Sequence, residues 1–123
     1  KEQAMGDVAR RLKNLAKELD IWVIAISQLN RDSQNPIPNL NRLRDSGQIA
    51  EAADVVMFVY RPEVYGKFYP EPFANASTNG TAMIDIAKGR NIGLLKFICG
   101  FDAKTTRFYE TTDNYAPIDE TPF

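Results

Sequence analysis

The feature that most constrains the fold is the unbroken apolar run IWVIAIS at residues 21–27. Apolar side chains without polar alternation are typical of a strand buried on both faces of a parallel sheet. The preceding residues repeat apolar side chains at spacings of three and four, which predicts an amphipathic helix that ends near Asp20. We therefore expect an α/β domain with helices on the faces of a central, mostly parallel sheet.

Four later segments predict further strands. The second and third of them flank a turn at residues 91–93 and predict an antiparallel hairpin at the C-terminal side of the sheet. The first is apolar almost throughout, so we expect it to be buried on both faces. The segments are DVVMFVY (54–60), TAMIDIAK (81–88), LLKFIC (94–99) and TTRFYE (105–110).

Composition limits the chemistry of the chain. With 123 residues and a formal net charge of −1, it is long enough for one domain and is not coated with positive charge, although a local basic site is still allowed. The absence of histidine excludes His-based triads and most zinc sites. The single cysteine, Cys99, fits a reducing compartment, and no apolar stretch reaches the roughly 20 residues of a membrane span. We expect a cytoplasmic protein without membrane contact.

Gln28 directly follows the first predicted strand. Ligands of open parallel sheets bind beyond the carboxyl ends of the strands. A glutamine amide can donate to a phosphate oxygen and accept from a water molecule, which makes Gln28 a candidate ligand-binding residue. A solvated glutamine at a strand end explains the same residue.

A basic, glycine-containing stretch lies between a polar loop, predicted at residues 30–45, and a short helix, predicted at residues 46–54. Free N–H groups at the start of a helix bind phosphate, and Arg31 and Arg42 add positive charge nearby. An ordinary helix capped by Asp45 or Ser46 behind a solvated loop is the alternative. The candidate residues are Arg44, Asp45, Ser46 and Gly47.

Lys88 and Arg90 end the next predicted strand, and alternation along a strand places both on the same face. Two adjacent cations repel each other, and arginine suits planar recognition of phosphate. They therefore indicate an anion site, unless they pair with Asp85 or another neighbouring carboxylate. Asp85 lies in mid-strand and Asp54 at the start of its strand, so neither is predicted to bind magnesium, and no GxxxxGK[ST] phosphate loop is present.

Four stretches resemble, in order and spacing, the second half of the RecA-like ATPase domain of DnaB-type replicative DNA helicases. The resemblance implies a partial P-loop NTPase domain at residues 1–110, a polar tail at 111–123, and an upstream phosphate-loop half outside this chain. Since the chain begins with Lys1 inside a predicted helix, we expect it to be a fragment of a longer protein. The stretches are LAKELDIWVIAISQLNR, LRDSGQIAEAADVVMFVYRPEVY, IDIAKGRNIG and TTRFYE.

The resemblance implies a role for each candidate. Gln28 would sense the γ-phosphate of ATP, and residues 44–47 would hold a single-stranded DNA phosphate in the channel of a homo-hexamer. Lys88 and Arg90 would reach the γ-phosphate bound by the neighbouring subunit, and Phe101 would lie near the nucleotide base of that adjacent site.

At the level of the whole protein, the resemblance implies ATP-dependent DNA unwinding, with Mg²⁺ ligands outside this chain and a primase or helicase loader as partner. The fragment alone is expected to be inactive. A RecA-like recombinase, a phage or plasmid ATPase, and a non-catalytic interaction module are the alternatives. The family usually has KQRNGP where this chain has KGRNIG, so we expect Gly89 to loosen the strand.

Overall fold

The computed structural model describes residues 2–29 and 34–111. They form two α-helices, two short 3₁₀ helices and four strands. In chain order these are α1 (Glu2–Leu19), a 3₁₀ helix (Leu40–Ser46), α2 (Gly47–Ala52), β1 (Val55–Tyr60), a second 3₁₀ helix (Pro62–Tyr65), β2 (Thr81–Gly89), β3 (Leu95–Asp102) and β4 (Arg107–Tyr109).

Helix α1 confirms the prediction from apolar spacing, including its end. Asp20 adopts a left-handed conformation with φ of 54°, and the Ile21 amide donates to the Ala16 carbonyl at 3.0 Å. Aspartate tolerates this backbone region better than most residues, and the turn satisfies one of the carbonyls left free at a helix end. The chain therefore leaves α1 in a fixed direction, and α2 packs against α1.

Residues 21–27 form no strand among the described residues, so the strand predicted there is not confirmed. The run is extended but belongs to no sheet, and its apolar side chains are exposed, with Trp22 94% and Ile26 95% accessible. A strand requires a neighbour that completes its hydrogen-bond ladder, and β1 to β4 pair only among themselves. Apolar composition shows that the run could be buried, but it does not supply the neighbouring strand with which the run would pair.

The sheet has the order β1-β2-β3-β4, and each pair of neighbours is antiparallel. The predicted hairpin and the last short strand are confirmed, whereas no parallel pair occurs among the residues described. Strand β1 is also buried on one face only, because Val55, Met57 and Val59 are exposed while Phe58 and Tyr60 are buried. The prediction that this strand is buried on both faces is therefore wrong.

The core lies on the sheet and uses the irregular segment between the second 3₁₀ helix and β2. The Tyr69 hydroxyl is 2.7 Å from the Thr81 hydroxyl, so the buried phenol has a hydrogen-bond partner. Because each buried aromatic or aliphatic side chain contributes about 1.5–3 kcal/mol, the core fixes β2 and β3 firmly. One core cluster contains Tyr60, Tyr69, Phe73, Met83 and Ile98, and a second contains Ala82, Cys99 and Phe101.

The prediction of a loop at residues 30–45 is wrong over residues 40–45, which belong to the first 3₁₀ helix. Asparagine and proline favour turns and loops, but a 3₁₀ helix of a few residues can form without the apolar periodicity of a longer α-helix. Residues 30–33 and the predicted polar tail from residue 112 lie outside the described residues.

Candidate functional site

The end of β2 lies beside the end of α2, which brings the two predicted cations to the same short segment. The Lys88 ammonium donates to the Ala50 carbonyl at 2.7 Å and to the Glu51 carbonyl at 3.1 Å. Carbonyls at the C-terminal end of a helix lack intrahelical partners and form the negative end of the helix dipole. Lys88 therefore stabilises the end of α2 through its charge and its hydrogen bonds.

Arg90 is the first residue after β2 and contacts Asp54 through both its backbone and its side chain. The Arg90 amide donates to the Asp54 carbonyl at 2.8 Å, and Nη1 is 3.1 Å from Asp54 Oδ1. The two side chains are 52% and 60% exposed. A guanidinium has five N–H donors, so this single contact leaves donors of Arg90 available to a further anion.

Asp54 binds a second cation from α1. Lys13 Nζ lies 3.3 Å from the same Oδ1 atom that Arg90 contacts. The hydrogen bond from Lys13, with smaller contributions from the charges of Arg90 and Lys17, lowers the pKa of the Asp54 carboxyl below its usual value of 3.8. Asp54 is therefore ionised at neutral pH, and Asp54, not Asp85, is the carboxylate that pairs with Arg90.

Asp85 has a different environment in the middle of β2. It is buried, and its register partners are Phe58 on β1 and Lys96 on β3. Burial raises the pKa of the Asp85 carboxyl, and the charge of Lys96 opposes that shift. Within the described ranges, no three His, Cys, Asp or Glu side chains lie close enough together to hold a metal ion.

Gln28 lies in the exposed run after α1, and its side chain forms no hydrogen bond with Lys88 or Arg90. The hydrogen bond found at this residue runs from the Ser27 hydroxyl to the Gln28 carbonyl at 3.3 Å. The position of Gln28 follows from the run that precedes it, which has no strand to pair with among the described residues.

The predicted DNA-binding residues lie where the first 3₁₀ helix meets α2. The backbone kinks at Leu43, with φ of −91° and ψ of 15°, and Gly47 begins α2. Arg42 donates to the Pro36 carbonyl at 2.8 Å. Predictions that depend on the side chains of Arg44, Asp45 and Ser46, or on Arg31, concern side chains outside those that the structure describes.

Phe101 is buried on β3 beside a cleft of about 540 Å³. The Arg61 guanidinium lies 4.2 Å from the centre of its ring, and the Phe108 ring lies 4.8 Å away. Arg61 Nε is buried without a hydrogen-bond partner in the part of the chain that the structure describes. Other residues that line the cleft are Glu63, Asn79, Gly80, Asp102, Ala103, Lys104, Arg107 and Tyr109.

The sequence analysis missed Arg61 as a neighbour of Phe101. Arg61 directly follows β1, so its position at the end of a core strand was the available signal. Arg107 likewise lies over the Tyr109 ring, 5.5 Å from its centre. Cation–π contacts of this kind attract a guanidinium to an aromatic face and leave its edge free for hydrogen bonds. Among residues 2–29 and 34–111, no helix is long and apolar enough to cross a bilayer.

Two solved structures have a similar backbone. One is an ATPase domain that superposes with a TM-score of 0.75 at 30% identity, covering 89% of this chain and 37% of that one. The other, a DnaB-like replicative helicase solved in a study of its interactions with primase, gives a TM-score of 0.72 at 32% identity, covering 86% and 25%. The fold is therefore that of part of a RecA-like helicase ATPase domain.

The sequence comparison identifies the family within this class. The DnaB-like helicase C terminal domain matches residues 1–110, and the chain belongs to this family, as the resemblance predicted. The replicative DNA helicase DnaB of Pasteurella multocida (strain Pm70) is 40% identical over 107 residues. That match covers 85% of this chain and 21% of the relative, so the chain spans about a fifth of the curated relative's length.

Proposed function

We propose that this chain is part of the motor domain of a hexameric replicative helicase, which couples ATP hydrolysis to translocation on single-stranded DNA and to unwinding of the duplex. The observation that carries the proposal is the cationic end of β2. Lys88 and Arg90 both contact the segment 50–54, and Arg90 is half exposed with unused donors. Membership of the DnaB-like family supports this function over that of a recombinase.

The charges at this end of the sheet favour a further anion. Lys13, Lys88 and Arg90 are three cations, whereas Asp54 is the one carboxylate that contacts any of them in the described part of the chain. Phosphoryl transfer spreads negative charge over the γ-phosphate oxygens, and an arginine supplied by a neighbouring subunit accelerates it by about 10³ to 10⁵. Arg90 is proposed to be this arginine, with Lys88 as a second point charge.

ATP with Mg²⁺ would supply the phosphoryl group when it binds between subunits. The residues in this chain fit the phosphate and not the metal, because Mg²⁺ prefers oxygen ligands. Asp54 already forms ion pairs with Lys13 and Arg90, and Asp85 is buried opposite Lys96. The Mg²⁺ ligands are therefore proposed to lie outside this chain.

The exposed apolar run at residues 21–27 supports the proposed parallel part of the sheet. Trp22, Ile24 and Ile26 expose between 85% and 95% of their surface, which a folded enzyme normally buries. In the complete domain this run is proposed to enter a parallel sheet with strands outside this chain. Gln28 would then lie beyond the carboxyl end of a strand, where it can sense the γ-phosphate.

Two further contacts complete the proposal. Residues 44–47 would hold the DNA backbone mainly through main-chain N–H groups, which gives the sequence-independent grip that a translocating motor needs. Phe101, with Arg61 stacked on its ring, would form a wall beside the nucleotide base. One structural neighbour was studied for its interactions with primase, and we propose a primase or helicase loader as partner of the full-length protein.

The test is DNA-stimulated ATPase activity of a full-length protein that contains this sequence, compared with Arg90→Ala. We expect the variant to lose at least about a hundredfold in turnover while it still forms hexamers and binds nucleotide. Lys67→Ala is the matched control, because Lys67 is an exposed cation that follows the second 3₁₀ helix and belongs to neither α2 nor β2. Unchanged turnover in Arg90→Ala would show that this arginine does not act on ATP. No DNA-stimulated ATPase in the wild type would favour the interaction module.

A further inference from the structure

Asp54 is shared between two cations that come from different elements. Oδ1 accepts a hydrogen bond from Lys13 of α1 at 3.3 Å and forms an ion pair with Nη1 of Arg90, after β2, at 3.1 Å. Asp54 itself lies in the two-residue connection between α2 and β1. One carboxylate oxygen therefore joins a helix, a strand end and the connection between them.

This arrangement determines whether Asp54 keeps a cationic partner when the Arg90 guanidinium moves to another anion. If Asp54 had Arg90 as its one partner, movement of the guanidinium toward another anion would leave an unpaired carboxylate behind. Because Lys13 already contacts the same oxygen, Asp54 keeps a cation when Arg90 departs, and Lys17 adds positive charge nearby. The two side chains of the Arg90 pair are more than half exposed, so the contact is weak enough to exchange.

We propose that Asp54 is a positioning residue that holds Arg90 within its own subunit, and that Lys13 remains as the cation paired with Asp54 when Arg90 engages the neighbouring nucleotide. The inference rests on the proposed function, since it requires Arg90 to act in trans. Asp54 and the γ-phosphate then compete for the same guanidinium. The contact between Lys13 and Asp54 weakens the hold of Asp54 on Arg90 and so favours binding of Arg90 to the γ-phosphate.

The proposal predicts opposite effects for two neighbouring substitutions. Asp54→Asn removes the competing charge, so the ATPase turnover should rise by about two- to fivefold, the range that an exposed ion pair gives. Lys13→Gln leaves Arg90 as the main partner of Asp54, so turnover should fall by about the same factor. The double variant should behave like Asp54→Asn, because Lys13 acts only through that carboxylate.

The experiment measures ATPase turnover and KM for ATP in the full-length hexamer, with and without single-stranded DNA. Hexamer formation, DNA affinity and melting temperature are recorded for every variant. The control is Asp7→Asn, which breaks the exposed ion pair between Asp7 and Arg10 on the same helix and should leave turnover unchanged. Repeating Asp54→Asn and Lys13→Gln in an Arg90→Ala background should abolish both effects.

The outcomes separate this inference from the proposed function. If Arg90→Ala leaves turnover unchanged, the assignment of Arg90 fails and this inference fails with it. If Arg90→Ala lowers turnover strongly but Asp54→Asn and Lys13→Gln both lower it or both leave it unchanged, Asp54 is only a structural partner and the inference alone is overturned. Effects that persist without Arg90 overturn it in the same way.

Discussion

Lys88 should stabilise α2 even when no nucleotide is present, because its ammonium bonds two carbonyls at the end of that helix, at 2.7 and 3.1 Å. Lys88→Met keeps most of the aliphatic chain and removes the charge and both hydrogen bonds. α2 has only six residues, from Gly47 to Ala52, so few hydrogen bonds within the helix itself keep it formed. We therefore expect local opening of α2 to become easier.

The magnitude follows from the geometry. A hydrogen bond to a charged group contributes about 1.5–3 kcal/mol, and a cation at a helix C-terminus about 0.3–1 kcal/mol. Since Lys88 is only partly buried, we discount the sum to about 1–2 kcal/mol, which corresponds to an increase of about 5- to 30-fold in the local opening constant.

Hydrogen exchange of the full-length protein, without nucleotide or DNA, measures this opening directly. Amides of residues 50–53 should exchange about 5- to 30-fold faster in Lys88→Met, whereas those of β3 should keep their rates. Lys67→Met is the control for loss of a lysine charge at an exposed site. Unchanged exchange in α2, or equal acceleration across the whole sheet, would refute the claim that Lys88 holds the end of this helix.

Two other substitutions test the sheet around this site. Gly89→Ala should destabilise the end of β2 by about 1–3 kcal/mol, because a Cβ there would lie 2.5 Å from the Gly93 carbonyl oxygen. The Arg90 amide should then exchange its hydrogen faster than in the wild type, and slower hydrogen exchange would contradict the prediction. Asp85→Asn should raise the melting temperature at pH 7. The folded pKa of Asp85 lies above its unfolded value, so wild-type stability falls as pH rises between those two values. The increase in melting temperature caused by Asp85→Asn should therefore shrink as pH approaches 4. An increase that does not depend on pH would contradict the prediction.

The parts of the fold that depend on local signals were predictable. The end of α1 followed from apolar spacing, and the hairpin turn was indicated by Asn91 and Gly93, which adopt φ of 71° and 77°. The strand predicted at residues 21–27 is not confirmed, since pairing depends on a neighbour that no local pattern specifies and that the described strands do not provide. The family, by contrast, was recognisable because four stretches occur in the right order, which is information spread over the whole chain.

Gly89 shows how two departures from the family pattern belong together. From the sequence, replacing a side chain by glycine predicted a looser strand, but β2 continues through Gly89 and its neighbour Arg90 still bonds the Asp54 carbonyl. The turn that follows folds back so closely that any side chain at position 89 would meet Ile92 and the Gly93 carbonyl. The short turn and the glycine are therefore one feature, and restoring the usual glutamine alone would strain it.

The position of the candidate site depends on the register of β1 and β2, which explains why Asp85 was the wrong partner to expect for Arg90. Val55 pairs with Gly89, so the residues just outside that pair, Asp54 and Arg90, lie side by side. Between Val56 and Met57 the register shifts by one residue, which leaves Ala87 as the extra residue of a bulge. Bulges redirect the side chains that follow them. Lys88 comes directly after this bulge and contacts the end of α2, so one irregularity in one strand pair places both cations against the same segment.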